Sequence, residues 1–212
     1  MSHRPLPGSM SPTLALLVPV KSFSQAKRRL HPALNPAERE ELARAMAATV
    51  LRAAGSLRVA VVCDDPDVQV WAQEQGVETI WTPNLGLNGA VEAGVAHLSR
   101  RGARRVIVAH ADLPLATDLE WLADGDGVTL VPDRHGDGTN VACVPAEAGF
   151  AFAYGAGSFA AHRAEAVRRG LIVRLVPDPA LGWDVDLPAD LNVPPTLRPP
   201  VYLPTAPLAE AP

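Results

Sequence analysis

Lys21 and Lys27 are the only lysines among 19 basic residues in this chain of 212, and they lie six residues apart in VKSFSQAKRRL. A compact ammonium on a flexible stem acts as a point charge against phosphate, whereas a guanidinium favours planar, forked partners. Three aspartates complement them further along: Asp112 in AHADLP, and Asp184 and Asp186 in GWDVDLPADL. Carboxylates hold Mg2+, and Mg2+ with lysine neutralises a polyphosphate. If one fold gathers these five side chains, the chemistry open to them is metal-assisted handling of phosphate.

A second concentration of polar residues is PDRHGDGTN, residues 132–140. Its flanks, VTLV and VACV, read as short buried strands, and a hairpin turn between them needs only a Gly and an Asn or Asp. Arg134, His135, Thr139 and Asn140 exceed that need. YGAGSF, residues 154–159, is glycine-rich and leads into a helix, so its backbone N–H groups and Ser158 could cradle an anion. Each feature has a plainer reading. Asp112 could cap a short helix, and Asp184 and Asp186 could be turn residues. YGAGSF could be a loose turn with a Ser N-cap, and Arg134 and His135 could be solvated loop residues. His110, at a strand end, reads as a satisfied core histidine, and His162 as a helix-surface residue. The chain has no Cys/His set with zinc spacing, no Gly-x-Ser-x-Gly elbow, no Walker A loop and no Gly-x-Gly-x-x-Gly fingerprint.

The elements that must position these residues follow from the apolar pattern. LALLVPV (14–20) is a continuous apolar run, the signature of a strand buried on both faces. RVAVVCD, VETIW, RRVIVAH, GVTLVPD, NVACVPA and LIVRLVP read as further strands. A helix opens at NPAERE, with Asn35 as N-cap, Pro36 at the first position and Glu38 closing a capping box, and stops at Gly55. PDVQVWAQEQ is a short helix. After the loop TPNLGLN comes the helix GAVEAGVAHLSRR, and SFAAHRAEAVRRG is the last. Strand and helix alternate, so the expected fold is α/β with a mainly parallel sheet and helices on both faces. In such sheets ligands bind outside the carboxyl ends of the strands. The lysines, Asp112 and the 132–140 loop fall just after strands, and Asp184 and Asp186 come near the end of the domain.

Composition narrows the class. Apolar residues make up 48% and aromatics 5%, so the core must be aliphatic. A net charge of -4 argues against nucleic acid or an anionic membrane as partner. Cys63 and Cys143 each lie in an apolar run and read as buried thiols in a reducing cytoplasm. MSHRPLPGSMSP has no apolar core of a signal peptide, and no apolar run approaches the ~18 residues of a membrane span. The expected organisation is a flexible segment 1–12, a single domain 13–193 and a proline-rich, disordered tail 194–212.

In chain order, VPVKSFSQAKRRL, GLNGAV, ADLPL, PDRHGDGTNVA, YGAGSFAAH and DVDLPADL follow the pattern of one family. Over about residues 14–192 the chain resembles the phospholactate/phosphoenolpyruvate guanylyltransferases of coenzyme F-420 biosynthesis. PDRHGDGTN and YGAGSF are the specific elements, whereas ADLP and DVDLP are shared with nucleotidyltransferases in general. Gly89 stands where the family more often has Ala, and Leu187 where Thr is common; neither change removes a charge.

The resemblance implies a Rossmann-like three-layer αβα fold of the nucleotide-diphospho-sugar transferase type. It implies an enzyme that joins GMP from GTP to a small phosphorylated three-carbon acid and releases pyrophosphate, with Mg2+ as cofactor. Pro19, Lys21, Lys27, Gly86, Asn88 and Asp112 would serve the nucleotide, with Lys21, Lys27 and Asp112 catalytic. Asp112, Asp184 and Asp186 would hold the metal. Arg134, Thr139, Asn140, Gly155 and Ser158 would form the acceptor wall. Phosphoenolpyruvate is the expected acceptor, with 3-phosphoglycerate and 2-phospho-L-lactate as alternatives. The labile product makes handover to a following enzyme an open expectation. Two other readings stand beside this one: a molybdenum-cofactor guanylyltransferase, against which the missing Gly-rich first loop counts, and a non-catalytic nucleotide-binding member of the fold.

Overall fold

The computed structural model describes residues 14–197. The expected flexible segment 1–12 and residues 198–212 of the expected tail lie outside the described residues. The elements run β1 (Leu14–Pro19), α1 (Pro36–Arg52), β2 (Arg58–Cys63), α2 (Pro66–Glu74), β3 (Glu78–Trp81), α3 (Gly86–Arg100), β4 (Arg105–Ala109), β5 (Val128–Pro132), β6 (Thr139–Pro145), α4 (Ser158–Arg168) and β7 (Val173–Leu175).

One seven-stranded sheet has the order β3-β2-β1-β4-β6-β5-β7. Among the described residues only β6 runs against its neighbours, antiparallel to both β4 and β5. The other pairs are parallel. The carboxyl ends of β1 to β5 and the amino end of β6 therefore meet at one edge of the sheet.

Helices cover both faces, which explains the unbroken apolar strands. Leu16 and Val18 of β1 point into a core shared with Ala47 and Val50 of α1 and Trp71 of α2. Ala15 and Leu17 point the other way, into a core with Val91 and Leu98 of α3 and Ala166 of α4. A smaller cluster of Leu30, Leu42, Met46 and Val185, with Trp183 against it, ties the lysine loop and α1 to the Asp184–Asp186 segment. Cys63 and Cys143 are buried free thiols, and burial pushes both up from their ordinary range.

Helix α1 begins as its sequence requires. The Asn35 side chain accepts the N–H of Glu38 at 3.0 Å, and the Asn35 N–H donates to Glu38 Oε2 at 2.7 Å. Helix α3 differs from expectation by starting at Gly86 rather than Gly89, so part of the expected loop TPNLGLN is its first turn. Asn84 (φ 61) and Gly86 (φ 62) both take left-handed conformations, which turn the chain sharply enough for the helix to start at once. Gly94 then lets α3 press on the sheet, because a Cβ there would meet Leu17 Cδ2 at 2.6 Å and Val62 Cγ1 at 2.7 Å. The last strand is three residues rather than seven. Among the described residues it is an edge strand, paired with β5 alone. Among the described residues no helix is long and apolar enough to cross a membrane.

Candidate functional site at the carboxyl edge

The loop after β1 carries Lys27 back over the sheet edge, with Lys27 itself in a left-handed conformation (φ 53). Its Nζ donates to Asp112 Oδ2 at 2.6 Å and to Asp186 Oδ1 at 2.9 Å. Asp112 follows β4, and its carbonyl accepts the N–H of Val185 at 3.3 Å, which sets Asp184 and Asp186 on either side of that contact. Burial works against the charge on Lys27, but the carboxylates of Asp112 and Asp186 outweigh it and its pKa is raised. Burial is the strongest single influence on Asp112 and pushes it up, yet the charge and hydrogen bond of Lys27, with smaller contributions from His110 and the backbone, together outweigh it and the net shift is down. Asp184 goes the other way: burial first, then the charge of Asp112, hold its carboxyl above the usual range. Lys21 is exposed and makes no ion pair among the described residues. It lines a narrow cleft with Pro19, Asp64, Thr82, Gly86 and Leu87. That cleft lies at the ends of β1 to β3 against the start of α3. A cavity of about 500 Å3 opens at the opposite edge of the sheet among Leu14, Arg58, Ala103 and Arg105, away from this charge cluster.

Among the described residues no three His, Cys, Asp or Glu side chains are grouped to hold a metal ion on their own. Asp112 Oδ1 nevertheless is buried without a hydrogen-bond partner, and Asp184 feels its charge directly. An open carboxylate oxygen with a second carboxylate nearby suits Mg2+, which binds through one or two carboxylates and takes its remaining ligands from phosphate and water.

The 132–140 loop is organised by its own aspartates. Asp133 accepts the backbone N–H groups of His135, Asp137 and Gly138 at 2.9, 3.1 and 2.8 Å. Gly138 has no room for a side chain there, since a Cβ would sit 2.7 Å from Asp133 Oδ2. Asp137 reaches the start of α4, taking the N–H of Gly157 on its carboxylate at 3.1 Å and that of Phe159 on its carbonyl at 3.0 Å. Part of the anion cradle expected from YGAGSF is thus filled from within. His135 is an exposed loop residue, as expected.

Arg134 faces the aspartate segment. It donates to the carbonyl of Asp184 at 2.9 Å and to Asp190 Oδ1, and its guanidinium lies 4.5 Å over the Trp183 ring. Asp190 is buried, and its Oδ2 accepts the N–H groups of Asp186 and Leu187 at 2.8 and 2.7 Å. Asp190 therefore fixes the backbone that presents Asp184 and Asp186. Sequence reading passed over it because its cationic partner lies 56 residues away.

Thr139 and Asn140 start β6 at the same edge. The Thr139 N–H donates to Ser158 Oγ at 3.0 Å, and its hydroxyl lies 3.0 Å from His162 Nδ1. Asn140 donates to the carbonyl of Leu181 at 2.9 Å. Asn88 accepts the N–H of Tyr154 at 2.8 Å, so it braces the segment before Gly155. His162 is fully buried, contrary to the expected surface position. Its Nε2 accepts the N–H of Ala153 at 2.9 Å, which leaves Nδ1 to carry the proton toward Thr139. Burial pushes its pKa down to about 4. His110 is also held low, chiefly by burial, but it is not the satisfied core residue expected, because its Nε2 has no partner.

Comparison with known proteins gives a consistent picture. Residues 14–193 match the family model described as guanylyl transferase CofC like. A phosphoenolpyruvate guanylyltransferase of Sphaerobacter thermophilus is 38% identical over 189 residues, covering 85% of this chain and 91% of the relative. A 2-phospho-L-lactate guanylyltransferase of Methanothermobacter thermautotrophicus is 33% identical, covering 83% of this chain and 81% of the relative. A structure from Desulfovibrio desulfuricans G20 named for the nucleotide-diphospho-sugar transferases superposes with a TM-score of 0.67 over 86% of each chain at 17% identity, a likeness of fold.

Proposed function

The chain belongs to the guanylyl transferase CofC-like family, and from that premise we propose that it transfers GMP from GTP to phosphoenolpyruvate, releasing pyrophosphate, in coenzyme F-420 biosynthesis. The acceptor follows the name shared by relatives up to 38% identical. The observation that supports the chemistry is the junction of Lys27 with Asp112 and Asp186 at the sheet edge, beside the Lys21 cleft.

An acceptor phosphate oxygen attacks the α-phosphorus of GTP; the new P–O bond forms as the bond to the bridging β-phosphate oxygen breaks, and pyrophosphate leaves. A phosphate dianion is already a nucleophile, so no general base is required. The difficulty is bringing two anions together, and catalysis is then positioning plus charge stabilisation. Asp112, through its free Oδ1, and Asp184 would hold Mg2+, with Asp186 engaged by Lys27. When bound, Mg2+ offsets negative charge on the phosphates. Lys27 and Lys21 stabilise the triphosphate and the leaving group. Arg134 acts by holding the aspartate segment, and Thr139, Gly155 and Ser158 border the acceptor.

Pyrophosphate release with GTP and Mg2+, run separately with phosphoenolpyruvate, 2-phospho-L-lactate and 3-phosphoglycerate, tests the reading. Release with phosphoenolpyruvate and GTP, but not ATP or CTP, is the expected result. Silence with all three acids overturns it. The Methanothermobacter relative makes 2-phospho-L-lactate the second reading.

A further inference from the structure

Six buried side-chain polar atoms lack a hydrogen-bond partner among the described residues, and three belong to residues gathered at this one edge: Asp112 Oδ1, His110 Nε2 and the Tyr154 hydroxyl. Folded proteins seldom leave such atoms unpaired except where a ligand, ion or water completes them. Asp112 Oδ1 fits the metal. The other two are neutral groups on rings whose centroids lie 4.7 Å apart.

Tyr154 is held by its backbone and by its ring neighbours. Its N–H donates to Asn88, its ring stacks on Phe152 at 5.7 Å, and His162 meets it edge-on at 4.9 Å. It immediately precedes Gly155 of the acceptor wall. His110 is fixed by its own N–H, which donates to the Asn140 carbonyl at 3.0 Å. The pair therefore lies between β4, the start of β6 and the segment leading into α4, with His110 two residues before Asp112. Among the described residues no lysine or arginine is bonded to either ring's free polar atom. Thr139 of the acceptor wall is bonded to Ser158 and set against His162. The phosphate of an acceptor acid faces the metal side. Its carboxylate still needs donors.

We propose that the Tyr154 hydroxyl and the His110 Nε2, as N–H, are the donors that take the carboxylate of the acceptor acid and make the enzyme select an acid over a plain phosphate ester. The proposal rests on the guanylyl-transfer reading. Two donors on rigid rings would bind one carboxylate in a fixed orientation and so aim its phosphate at the nucleotide.

Tyr154→Phe removes one oxygen and nothing else. With GTP, Mg2+ and the accepted acid, the variant should raise the KM of the acid at least about tenfold, the weight of one hydrogen bond to a charged group. The KM of GTP should stay within about twofold by the same reasoning, because no nucleotide contact is lost. Its melting temperature should be equal or higher, since a buried hydroxyl without a partner is gone. His110→Gln should shift the acid's KM in the same direction. Turnover of ethyl phosphate, a nucleophile lacking the carboxylate, should be equal in wild type and Tyr154→Phe at whatever level it occurs. An unchanged acid KM in Tyr154→Phe overturns the proposal, as does an equal loss on ethyl phosphate. Wild-type pyrophosphate release separates the two ideas: without it the guanylyl-transfer reading falls and takes this one with it, while with it an unaffected Tyr154→Phe overturns this proposal alone.

Discussion

The ammonium of Lys27 lies 2.6 Å from the carboxylate of Asp112, a residue 85 positions further along the chain. The contact joins the loop after β1 to the loop after β4, and Asp186 completes it from a third segment. Asp112→Asn keeps the shape but removes the charge that faces both Lys27 and the proposed metal. Pyrophosphate release should fall by at least about a hundredfold, the scale of losing one preorganised electrostatic contact. The far-UV circular dichroism should be unaltered. Near-normal turnover would remove Asp112 from the chemistry.

Asp190 is predicted to matter for stability as well as activity. It is buried, paired with Arg134 and bonded to two backbone N–H groups. Asp190→Ala strands the guanidinium and both donors, and unfolding in urea should show a loss of about 3 kcal/mol. The double variant with Arg134→Met should lose less than the sum of the two single changes, because each removes the same pair. Strict additivity would mean that the two residues act separately.

A pH effect follows from His162. Its pKa is pushed down to about 4 by burial, from an ordinary 6.5. Between those values the unfolded chain binds the proton and the folded chain does not, so stability should fall as pH drops from about 6.5 toward 4. Above 6.5 both states are neutral and the contribution is flat. Urea midpoints compared at pH 7 and pH 5 should differ more in wild type than in His162→Gln. The same difference in both proteins would exclude His162 as its source.

Gly94 tests the packing that positions the nucleotide side. Gly94→Ala forces a Cβ against Leu17 and Val62. Destabilisation of about 1–3 kcal/mol is expected from overpacking, against the small gain that alanine normally brings to a helix. A stabilised Gly94→Ala protein would mean that α3 is free to lift from the sheet.

Much of the architecture was legible because its causes are local. The capping box of Asn35 and Glu38 is written in four consecutive residues, and the strands buried on both faces are continuous apolar runs. The strand-end rule led to the edge where Lys27, Asp112 and Asp186 meet. The start of α3 was not legible, because Asn88 and Gly89 are poor helix formers and the turn that launches the helix depends on left-handed Asn84 and Gly86. His162 lies four residues from both Ser158 and Ala166, which are also buried, but a histidine on an apolar face reads as a surface residue until its two hydrogen-bond partners are known. Asp190 was not singled out. Its role depends on Arg134, and no local pattern connects them.

The reversed direction of β6 has a bearing on how such a protein can change over generations. Thr139 and Asn140 come at the beginning of a strand, at the tip of a hairpin whose bend is held by Asp133. Lys21, Lys27 and the start of α3 belong to the parallel half, whose connections cross the sheet. A hairpin tip can be lengthened or rewritten without disturbing crossover connections elsewhere. On the proposed reading the two halves would be separable modules for selection: donor recognition would rest on the more constrained half, while acceptor preference could drift through the hairpin without refolding the rest.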